Sequence, residues 1–281
     1  MQFAANLFDS IMNYPPEQAA IFLQEAQRVL LEETEPDFKL KKLWWTLVFL
    51  RSKCLTRDLK RLLGGAVYSG PFKGMKLTDE AMADNSSPHM LGSYESELHP
   101  AIERVIAQGY ERILNIGCSF GYYSIGLALR MPHVKVDAFD ISDAARKKCR
   151  DMAALNGVSD RVTVSGEFHG EDFVKYTKQK TLAFVDIEAH ELELLDPVKF
   201  PALREIDVIV ELHDLAIPTI SKTVTERFLP SHDCEIVRNK HQFFPFEEIF
   251  GTEKYIDPFD SFIATWEIRD GHTPWGVYRV K

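Results

Sequence analysis

Short apolar stretches alternate with helical patterns from residue 95 onward, and this alternation constrains the fold more than any other feature of the chain. Strands separated by helices are parallel neighbours, because each helical crossover returns the chain to the same end of the sheet. The pattern therefore predicts a parallel sheet covered by helices on both faces. The predicted strands are 112–116, 134–139, 161–165, 181–186, 206–212, 232–238 and 261–268; the predicted helices are 98–108, 121–131, 143–156, 170–178 and, in broken form, 190–204.

Two regions with other sequence patterns precede this alternation. Residues 1–63 are predicted as an N-terminal helical region, residues 64–92 as a hairpin and loop arm, and residues 93–281 as the main α/β domain. The apolar run LWWTLVFL at 43–50 is too short to span a bilayer and too apolar for a free surface. It is expected to pack on something, and a homodimer formed through the N-terminal helices is one way to cover it.

Charge and cysteine content exclude several classes of protein. The 281 residues have a net charge of −9, which disfavours nucleic acid and anionic membranes as partners. The four cysteines form no CxxC pair, so a disulfide framework or a zinc cluster is not expected. The first residues lack the basic and apolar regions of a secretory signal. These features together predict a cytoplasmic protein.

The turn after the first strand is expected to hold a cofactor. Gly117 and Gly121 follow the apolar stretch ILNI, at the place where a doubly wound sheet binds its ligand, and are expected to clear space for it. The spacing fits neither the G-x-G-x-x-G dinucleotide template nor a P-loop. The bulky Tyr122 and Tyr123 suit a wall beside a ligand without a diphosphate. Asp140, 23 residues after Gly117, is placed to accept hydrogen bonds from a ribose.

The segments ILNIGCSFGYYSIGLA, VDAFDIS and NGVSDRVTVSGE resemble the class I S-adenosylmethionine (SAM) methyltransferases over roughly residues 95–267. The resemblance implies a Rossmann-like fold whose seven-stranded, mostly parallel sheet has the order 3-2-1-4-5-7-6 with the last-formed strand antiparallel. It also implies SAM as cofactor and S-adenosylhomocysteine (SAH) as product. Two positions depart from the family pattern: Asn115 stands where an acid is common, and Ser119 where a glycine is common.

Acidic and histidine residues follow the fourth and fifth predicted strands. Asp186, Glu188, His190 and Glu191 follow one strand, and the next ends in the segment Glu211 to Asp214, which contains His213. The stretch Asp186 to Glu191 resembles the D-x-E-G-x-E signature of the FkbM-like methyltransferases, with Ala189 at the glycine position. That subgroup mostly methylates oxygen on small molecules and sugars, so the resemblance implies a small-molecule acceptor.

The two resemblances together imply a set of cofactor-binding residues. Gly117, Ser119 and Gly121 would line the methionine moiety, Asp140 would hold the ribose, and Glu167 would reach the adenine amine. Tyr94 and Glu95 precede the first helix of the domain and could close over the cofactor. The full predicted set is Tyr94, Glu95, Asn115, Gly117, Ser119, Gly121, Tyr122, Tyr123, Asp140, Ile141, Glu167 and Asp186.

Two mechanisms for deprotonating a hydroxyl acceptor remain open. His190 and His213, with Glu188 beside them, are candidate catalytic residues, because histidine titrates near neutral pH. Alternatively, Asp186, His213 and Asp214 could bind a divalent metal that lowers the pKa of the acceptor hydroxyl.

Three other functions compete with O-methylation of a small molecule. The acceptor could be a nitrogen of a small molecule; the missing N-P-P-Y-type motif at the fourth strand argues only against methylation of nucleic-acid base amines. A dinucleotide-dependent oxidoreductase could use the same fold, since fold alone does not fix function. The chain could also be a non-catalytic interaction protein. SAM is expected to raise the melting temperature if the chain is a methyltransferase, and not if it is a non-catalytic interaction protein.

Overall fold

The computed structural model describes residues 16–83, 86–240, 244–246, 249, 257–269, 271 and 273–281. Within this part of the chain, contacts separate two compact units. One unit contains the described residues up to Gly65, those of Met82–Tyr94 and those from Phe244 to Ile268. The other contains Ala66–Ala81, the described residues from Glu95 to Lys240 and those from Arg269 onward.

The second unit is built on a seven-stranded sheet. Its strands are β1 (Arg112–Ile116), β2 (Lys135–Phe139), β3 (Val162–Ser165), β4 (Thr181–Val185), β5 (Asp207–Glu211), β6 (His232–Val237) and β7 (Trp275–Val280). The order is β3-β2-β1-β4-β5-β7-β6, and β7 runs antiparallel to both of its neighbours. This Rossmann-like architecture confirms the predicted fold class and strand order.

Helices cover the sheet between successive strands. Those of the second unit are α4 (His99–Ala107), α5 (Tyr122–Arg130), α6 (Asp143–Leu155), α7 (Glu191–Leu194) and α8 (Ile220–Phe228), with short 3₁₀ helices at Ser96–Leu98, Gly170–Tyr176 and Pro201–Glu205. The central strand β4 is buried along its whole length, as expected for a parallel strand covered on both faces. Its Ala183 and Val185 share a core cluster with Val208, Val210 and Phe228.

The register of the sheet brings several strand ends to one level. Ile116 pairs with Phe139 of β2 and with Val185 of β4, and Val185 in turn pairs with Val210 of β5. The residues that follow β1, β2 and β4 therefore meet at one edge of the sheet, together with the last residue of β5. This edge is where ligands bind in open α/β sheets.

The first unit is helical. It contains α1 (Pro16–Glu32), α2 (Pro36–Leu63), α3 (Ser87–Leu91) and α9 (Pro258–Thr265). The apolar run at 43–50 lies on α2, where Trp45 contacts Trp266 with ring centroids 5.1 Å apart and Trp44 contacts Phe259 at 5.7 Å. The same chain therefore supplies a packing partner for this run. No helix of the described residues is both long and apolar enough to cross a membrane.

Two local predictions were wrong. Residues 261–268 were expected to form the last strand, but 258–265 form α9, which begins with Asp257 as N-cap and Pro258 in its first turn. The last strand is β7, further along the chain. The loop predicted before Gly92 contains the short helix α3. The predicted arm at 64–92 contributes to both units, and its hairpin is reduced to a single antiparallel bridge between Ala66 and Lys76.

Candidate functional site

The turn after β1 uses its backbone amides within the protein. The N–H groups of Gly117 and Cys118 both donate to the Phe139 carbonyl, at 2.8 and 2.9 Å. The N–H of Ser119 donates to Asp140 Oδ2 at 2.9 Å. A phosphate cradle needs such amides free and pointing at the ligand. These three amides are already engaged, so they do not form one.

The two glycines of this turn permit close packing of the protein itself. Gly117 has φ +85°, and a Cβ added there would lie 1.6 Å from the backbone oxygen of Asp186. Gly121 has φ +94°, and its Cβ would lie 2.8 Å from Cys149 Sγ. The expectation that both glycines clear space for a cofactor is therefore corrected. The space beside each is occupied by protein atoms, although Gly117 still borders the adjoining cleft.

Asp140 is a carboxylate held in place by backbone donors. Its Oδ2 accepts the Ser119 N–H, and its Oδ1 accepts the Ser142 N–H at 2.8 Å. Each carboxylate oxygen has a second lone pair, so the group can accept further hydrogen bonds. The side chain is half-buried and borders the cleft. Asp140 is thus oriented and available to a ligand with paired hydroxyl groups.

A cleft of about 590 Å³ lies at the carboxyl ends of β1 to β4. Its apolar walls include Phe139, Ile141, Phe168 and Phe200. Of the described residues that line it, six are acidic and one is lysine: Asp140, Glu167, Glu171, Asp186, Glu188, Glu193 and Lys199. Such a lining favours a cationic ligand over one that carries a diphosphate.

The structure brings together seven of the predicted site residues around this cleft. They are Gly117, Asp140, Ile141, Glu167, Asp186, Glu188 and His190. Glu188 and His190 are exposed on the loop after β4, where Glu188 has φ +51° and Ala189 has φ +75°. Phe168 and Glu171, which also line the cleft after β3, were not predicted, because nothing in their sequence distinguishes them from a solvated loop.

Other predicted cofactor residues lie away from the cleft lining. Asn115 is buried, and its side-chain amide donates to Ser124 Oγ at 2.7 Å. Tyr122 is buried and packs edge-on against Phe72. Tyr94 belongs to the helical unit. Its ring stacks on His89 at 3.8 Å between centroids.

Glu95 and Tyr123 belong to a buried polar network. Glu95 is 1% exposed and accepts hydrogen bonds from the Tyr123 hydroxyl and from Arg269. Arg269 also donates to Glu211 at the end of β5. Glu95 and Tyr123 thus form these hydrogen bonds within the protein and do not line the cleft. Arg269 was not predicted, because its partners Glu95 and Glu211 are distant from it in sequence.

His213 lies at the centre of an acidic cluster formed by Asp186, Glu188, Glu191 and Glu211. Its Nδ1 is 2.7 Å from Glu191 Oε1. Its Nε2 faces the other three carboxylates, at 3.5 Å from Glu188, 3.7 Å from Asp186 and 3.8 Å from Glu211. The histidine, Glu191 and Glu211 are all more than nine-tenths buried. Glu191 was not among the predicted catalytic or metal residues.

The cluster shifts the protonation of its own members. Burial lowers the pKa of His213, but the hydrogen bond and charge of Glu191, followed by the charges of Glu211 and Asp186, raise it to about 9. Burial raises the pKa of Asp186 well above its usual range, and the charge of Glu211 raises it further. The surrounding acids therefore favour the protonated form of His213, which opposes its predicted role as a proton acceptor.

Asp214 does not belong to the group of candidate metal ligands. Its Oδ1 accepts the Ser221 N–H at 2.8 Å, and its Oδ2 accepts the Ser221 hydroxyl. Ligand atoms of Asp186, Glu211 and His213 instead lie within 4.8 Å of one another. The predicted metal set is corrected accordingly, with Glu211 in place of Asp214. Period-two alternation was the available signal, since it places 211 and 213 on one side of an extended chain.

Comparisons with known proteins give limited matches. No protein-family model matches the chain. A relative by sequence is the release factor glutamine methyltransferase of Deinococcus radiodurans, which is 29% identical over 127 residues. The alignment covers 45% of this chain and 41% of that protein, so this chain spans about two fifths of the length of its relative.

Two solved structures illustrate the likeness in fold. The O-methyltransferase TomG from Streptomyces achromogenes, in complex with SAM, is 17% identical, with a TM-score of 0.44 over 67% of this chain and 80% of that chain. An O-methyltransferase from Bacillus cereus, in complex with SAH, is 15% identical, with a TM-score of 0.43 over 81% of this chain and 90% of that chain. TM-scores this low carry no argument about function.

Proposed function

We propose that the chain is a SAM-dependent methyltransferase that transfers a methyl group to a hydroxyl oxygen of a small molecule. The observation that supports it most is Asp140, a carboxylate fixed by two backbone amides at the edge of an acidic cleft. A nucleoside that carries a positive charge and no phosphate fits such a site. SAM has both properties, and when bound it supplies a methyl group activated by a sulfonium.

The residues around the cleft fit this cofactor. Asp140 would accept hydrogen bonds from the ribose hydroxyls. Ile141 and Phe168 offer apolar surface to an adenine ring, and Glu167 stands near them as an acceptor for its amine. Gly117, which also lines the cleft, would face the methionine portion. The acid-rich lining would favour the cationic cofactor over its neutral product.

A dinucleotide cofactor fits this site less well. The amides of Gly117, Cys118 and Ser119 already have acceptors within the protein, so they cannot hold a diphosphate without losing those bonds. The carboxylates that line the cleft would also repel its charge.

The cleft offers proton acceptors for a hydroxyl substrate. Glu188 and His190 are exposed on its rim, with 88% and 72% of their side chains accessible. Either group could take the acceptor proton once a substrate is bound, provided that it lies within hydrogen-bond reach. An acceptor nitrogen is the second candidate. It is favoured by the sequence relative, which is named a glutamine methyltransferase.

The finer resemblance to the FkbM-like methyltransferases belongs to the same proposal. Ala189 occupies the glycine position of that signature and has φ +75°, a left-handed conformation that glycine adopts most easily. A glycine would adopt this conformation without strain, which supports the resemblance although alanine occupies the position here.

Titration calorimetry with SAM, SAH and NAD tests the cofactor. We expect SAM and SAH to bind and NAD not to bind. Asp140→Ala should weaken SAM about ten- to a hundredfold, the loss expected when a charged hydrogen-bond acceptor is removed. Asp143→Ala is the matched control, since Asp143 is an exposed acid nearby that does not line the cleft.

Methyl transfer is measured separately, with methyl-labelled SAM and a panel of hydroxylated and amino small molecules. Glu188→Gln and His190→Ala should each lower kcat for the accepted substrate if that residue takes the proton, with SAM affinity kept. Binding of NAD in preference to SAM, or an unchanged SAM affinity in Asp140→Ala, would overturn the cofactor assignment. Tight SAM binding with transfer only to amines would favour the nitrogen acceptor.

A further inference from the structure

We propose that His213, Asp186 and Glu211 form a binding site for a divalent transition-metal ion, of the kind that accepts both imidazole and carboxylate ligands. Ions such as Zn²⁺ and Mn²⁺ have this preference, whereas Mg²⁺ prefers oxygen ligands alone. The site is independent of the proposed methyl transfer. Its test does not depend on SAM.

The distances around His213 Nε2 fit a shared ion. Three carboxylate oxygens, from Asp186, Glu188 and Glu211, lie 3.5–3.8 Å from this nitrogen. In the described part of the chain, none of these three oxygens forms a hydrogen bond with His213 Nε2. Four ligands at about 2.0–2.2 Å from a tetrahedral ion stand about 3.3–3.6 Å apart. The nitrogen therefore lies nearly as far from each oxygen as two ligands of one metal lie from each other, and the ligand atoms of Asp186, Glu211 and His213 are all within 4.8 Å of one another.

Glu191 orients the histidine for this role. Its Oε1 accepts a hydrogen bond from His213 Nδ1 at 2.7 Å, and the Ala189 N–H donates to the same oxygen at 3.3 Å. Glu191 is fully buried. A carboxylate that accepts the proton of one ring nitrogen fixes the tautomer and leaves the other nitrogen free to bind a metal. His213 Nε2 is the other ring nitrogen here; it faces the acidic cluster and can bind a metal that displaces its proton.

The carboxylates of the cluster are held with one oxygen left for a ligand. Glu211 Oε1 is hydrogen-bonded to Arg269, while its Oε2 faces His213. Asp186 Oδ1 is inaccessible to solvent and has no hydrogen-bond partner among the described residues. An orphaned buried carboxylate oxygen is costly and points to a missing partner. A bound cation would be such a partner.

Charge balance supports a cation at the same place. Four carboxylates surround His213, and Arg269 is shared between Glu211 and the buried Glu95. The arginine and the histidine together do not neutralise these acids. A divalent ion adds positive charge where the acids converge. Asp186 and Glu188 also line the open cleft, which gives the ion a path of entry.

The experiment measures metal binding by the full chain after treatment with a chelator and dialysis. Zn²⁺ and Mn²⁺ are titrated by calorimetry with Mg²⁺ as comparison, and bound metal is counted by elemental analysis. Co²⁺ serves as a spectroscopic probe of nitrogen ligation. We expect one Zn²⁺ or Mn²⁺ per chain and markedly weaker Mg²⁺ binding. His213→Ala should abolish binding, and Glu191→Gln should weaken it about 10–100-fold, as expected for loss of an orienting carboxylate.

Two matched controls distinguish this site from its surroundings. His190→Ala removes an exposed histidine of the neighbouring loop, and Asp214→Asn removes the acid adjacent to His213. Both should keep the wild-type stoichiometry and affinity. Failure of Zn²⁺ and Mn²⁺ to bind the wild-type chain would overturn the proposal, as would binding that survives both His213→Ala and Asp186→Asn. Mg²⁺ binding as tight as Zn²⁺ would overturn the role of the imidazole.

Folding and cofactor binding are checked alongside. If His213→Ala fails to fold, Asp186→Asn and the Co²⁺ spectrum of the wild type still decide the question. SAM titration in the presence of chelator tests the proposed function separately, so loss of metal binding and loss of SAM binding can be told apart.

Discussion

At the scale of single residues, Ala189 holds a backbone conformation that suits glycine. Its φ is +75°, in a turn where Glu188 also has positive φ. A left-handed conformation destabilises a non-glycine residue by about 1–2 kcal/mol. Replacement by glycine removes this strain, but part of the gain in stability is lost because glycine increases the entropy of the unfolded chain. We predict that Ala189→Gly raises the free energy of unfolding by about 0.5–1 kcal/mol, measured by urea denaturation. A lower stability would mean that packing of the Ala189 methyl group contributes more free energy than the strained backbone conformation costs.

Gly117→Ala is the opposite case and serves as the control. Gly117 also has positive φ, but a Cβ there would overlap the Asp186 backbone. Backbone atoms cannot move aside as a flexible side chain can. The substitution should therefore destabilise the chain by more than about 2 kcal/mol, in the range of severe steric changes.

Single residues also show how far sequence could predict the site. Asp140, Glu188 and His190 were identifiable because they directly follow apolar strands, whose ends meet at one edge of a parallel sheet. Arg269 was not, because its partners Glu95 and Glu211 are distant in sequence. Only the folded chain brings these three together, and no local pattern encodes such a network.

At the scale of elements, alternation predicted the first five strands to within one residue at each end. Hydrophobic runs of that length between helices have few other structures open to them. The segment 261–268 failed because a short apolar run fits a buried helix as well as a strand. Its start signal, Asp257 as N-cap followed by Pro258, is the local feature that distinguishes the two.

The first residue of β6 provides a test by pH. His232 is fully buried, with Nε2 donating to the Ile206 carbonyl at 3.0 Å and Nδ1 2.8 Å from Ser231 Oγ. Burial lowers the pKa of His232, and the charge of Lys281 lowers it further. The hydrogen bond to Ile206 and the nearby charge of Asp207 oppose this shift but do not cancel it. The folded chain therefore binds this proton less readily than the unfolded chain. Its stabilising effect is full above the unfolded pKa of about 6.5 and is lost as pH falls towards the folded pKa.

We predict that urea stability falls between about pH 7 and pH 5 with a contribution from His232 of at most ~1.4 kcal/mol per pH unit. His232→Gln cannot be protonated in this range, so it should flatten the slope even if it lowers stability overall. His133→Gln removes an exposed histidine and controls for the loss of an imidazole as such. An unchanged slope in His232→Gln would contradict the assignment.

At the scale of the whole molecule, the helical unit joins distant parts of the chain. Arg51 on α2 forms a paired hydrogen bond with Asp260 on α9, and both side chains are about nine-tenths buried. The tryptophan contacts cover part of the apolar run at 43–50, in which Trp44 and Leu47 stay 56% and 44% exposed. Sequence predicted that the run needs a partner but not which one, since the partner lies more than two hundred residues away.

The net charge of −9 and the acidic cleft together predict how ligand affinity responds to salt. SAM carries one more positive charge than SAH, because its sulfonium is lost on methyl transfer. Six carboxylates and one lysine line the described part of the cleft, so SAM should be attracted more strongly than SAH at low ionic strength. The Debye length falls from about 30 Å at 0.01 M salt to about 3 Å at 1 M. We therefore expect the ratio of SAM to SAH affinity to fall about threefold or more over this range.

Calorimetry with both ligands across a salt series measures this ratio, and it cancels effects of salt on the protein that both ligands share. The combined substitution Glu188→Gln and Glu193→Gln removes two carboxylates from the cleft rim and should shrink the dependence on salt. Asp143→Ala again serves as the control, because it lowers the net negative charge without changing the lining. If Asp143→Ala reduces the salt dependence of the affinity ratio equally, then the electrostatic field of the whole molecule attracts SAM, and the carboxylates of the cleft have no special part in it. Equal salt dependence of SAM and SAH would mean that the sulfonium does not sense these acids at all.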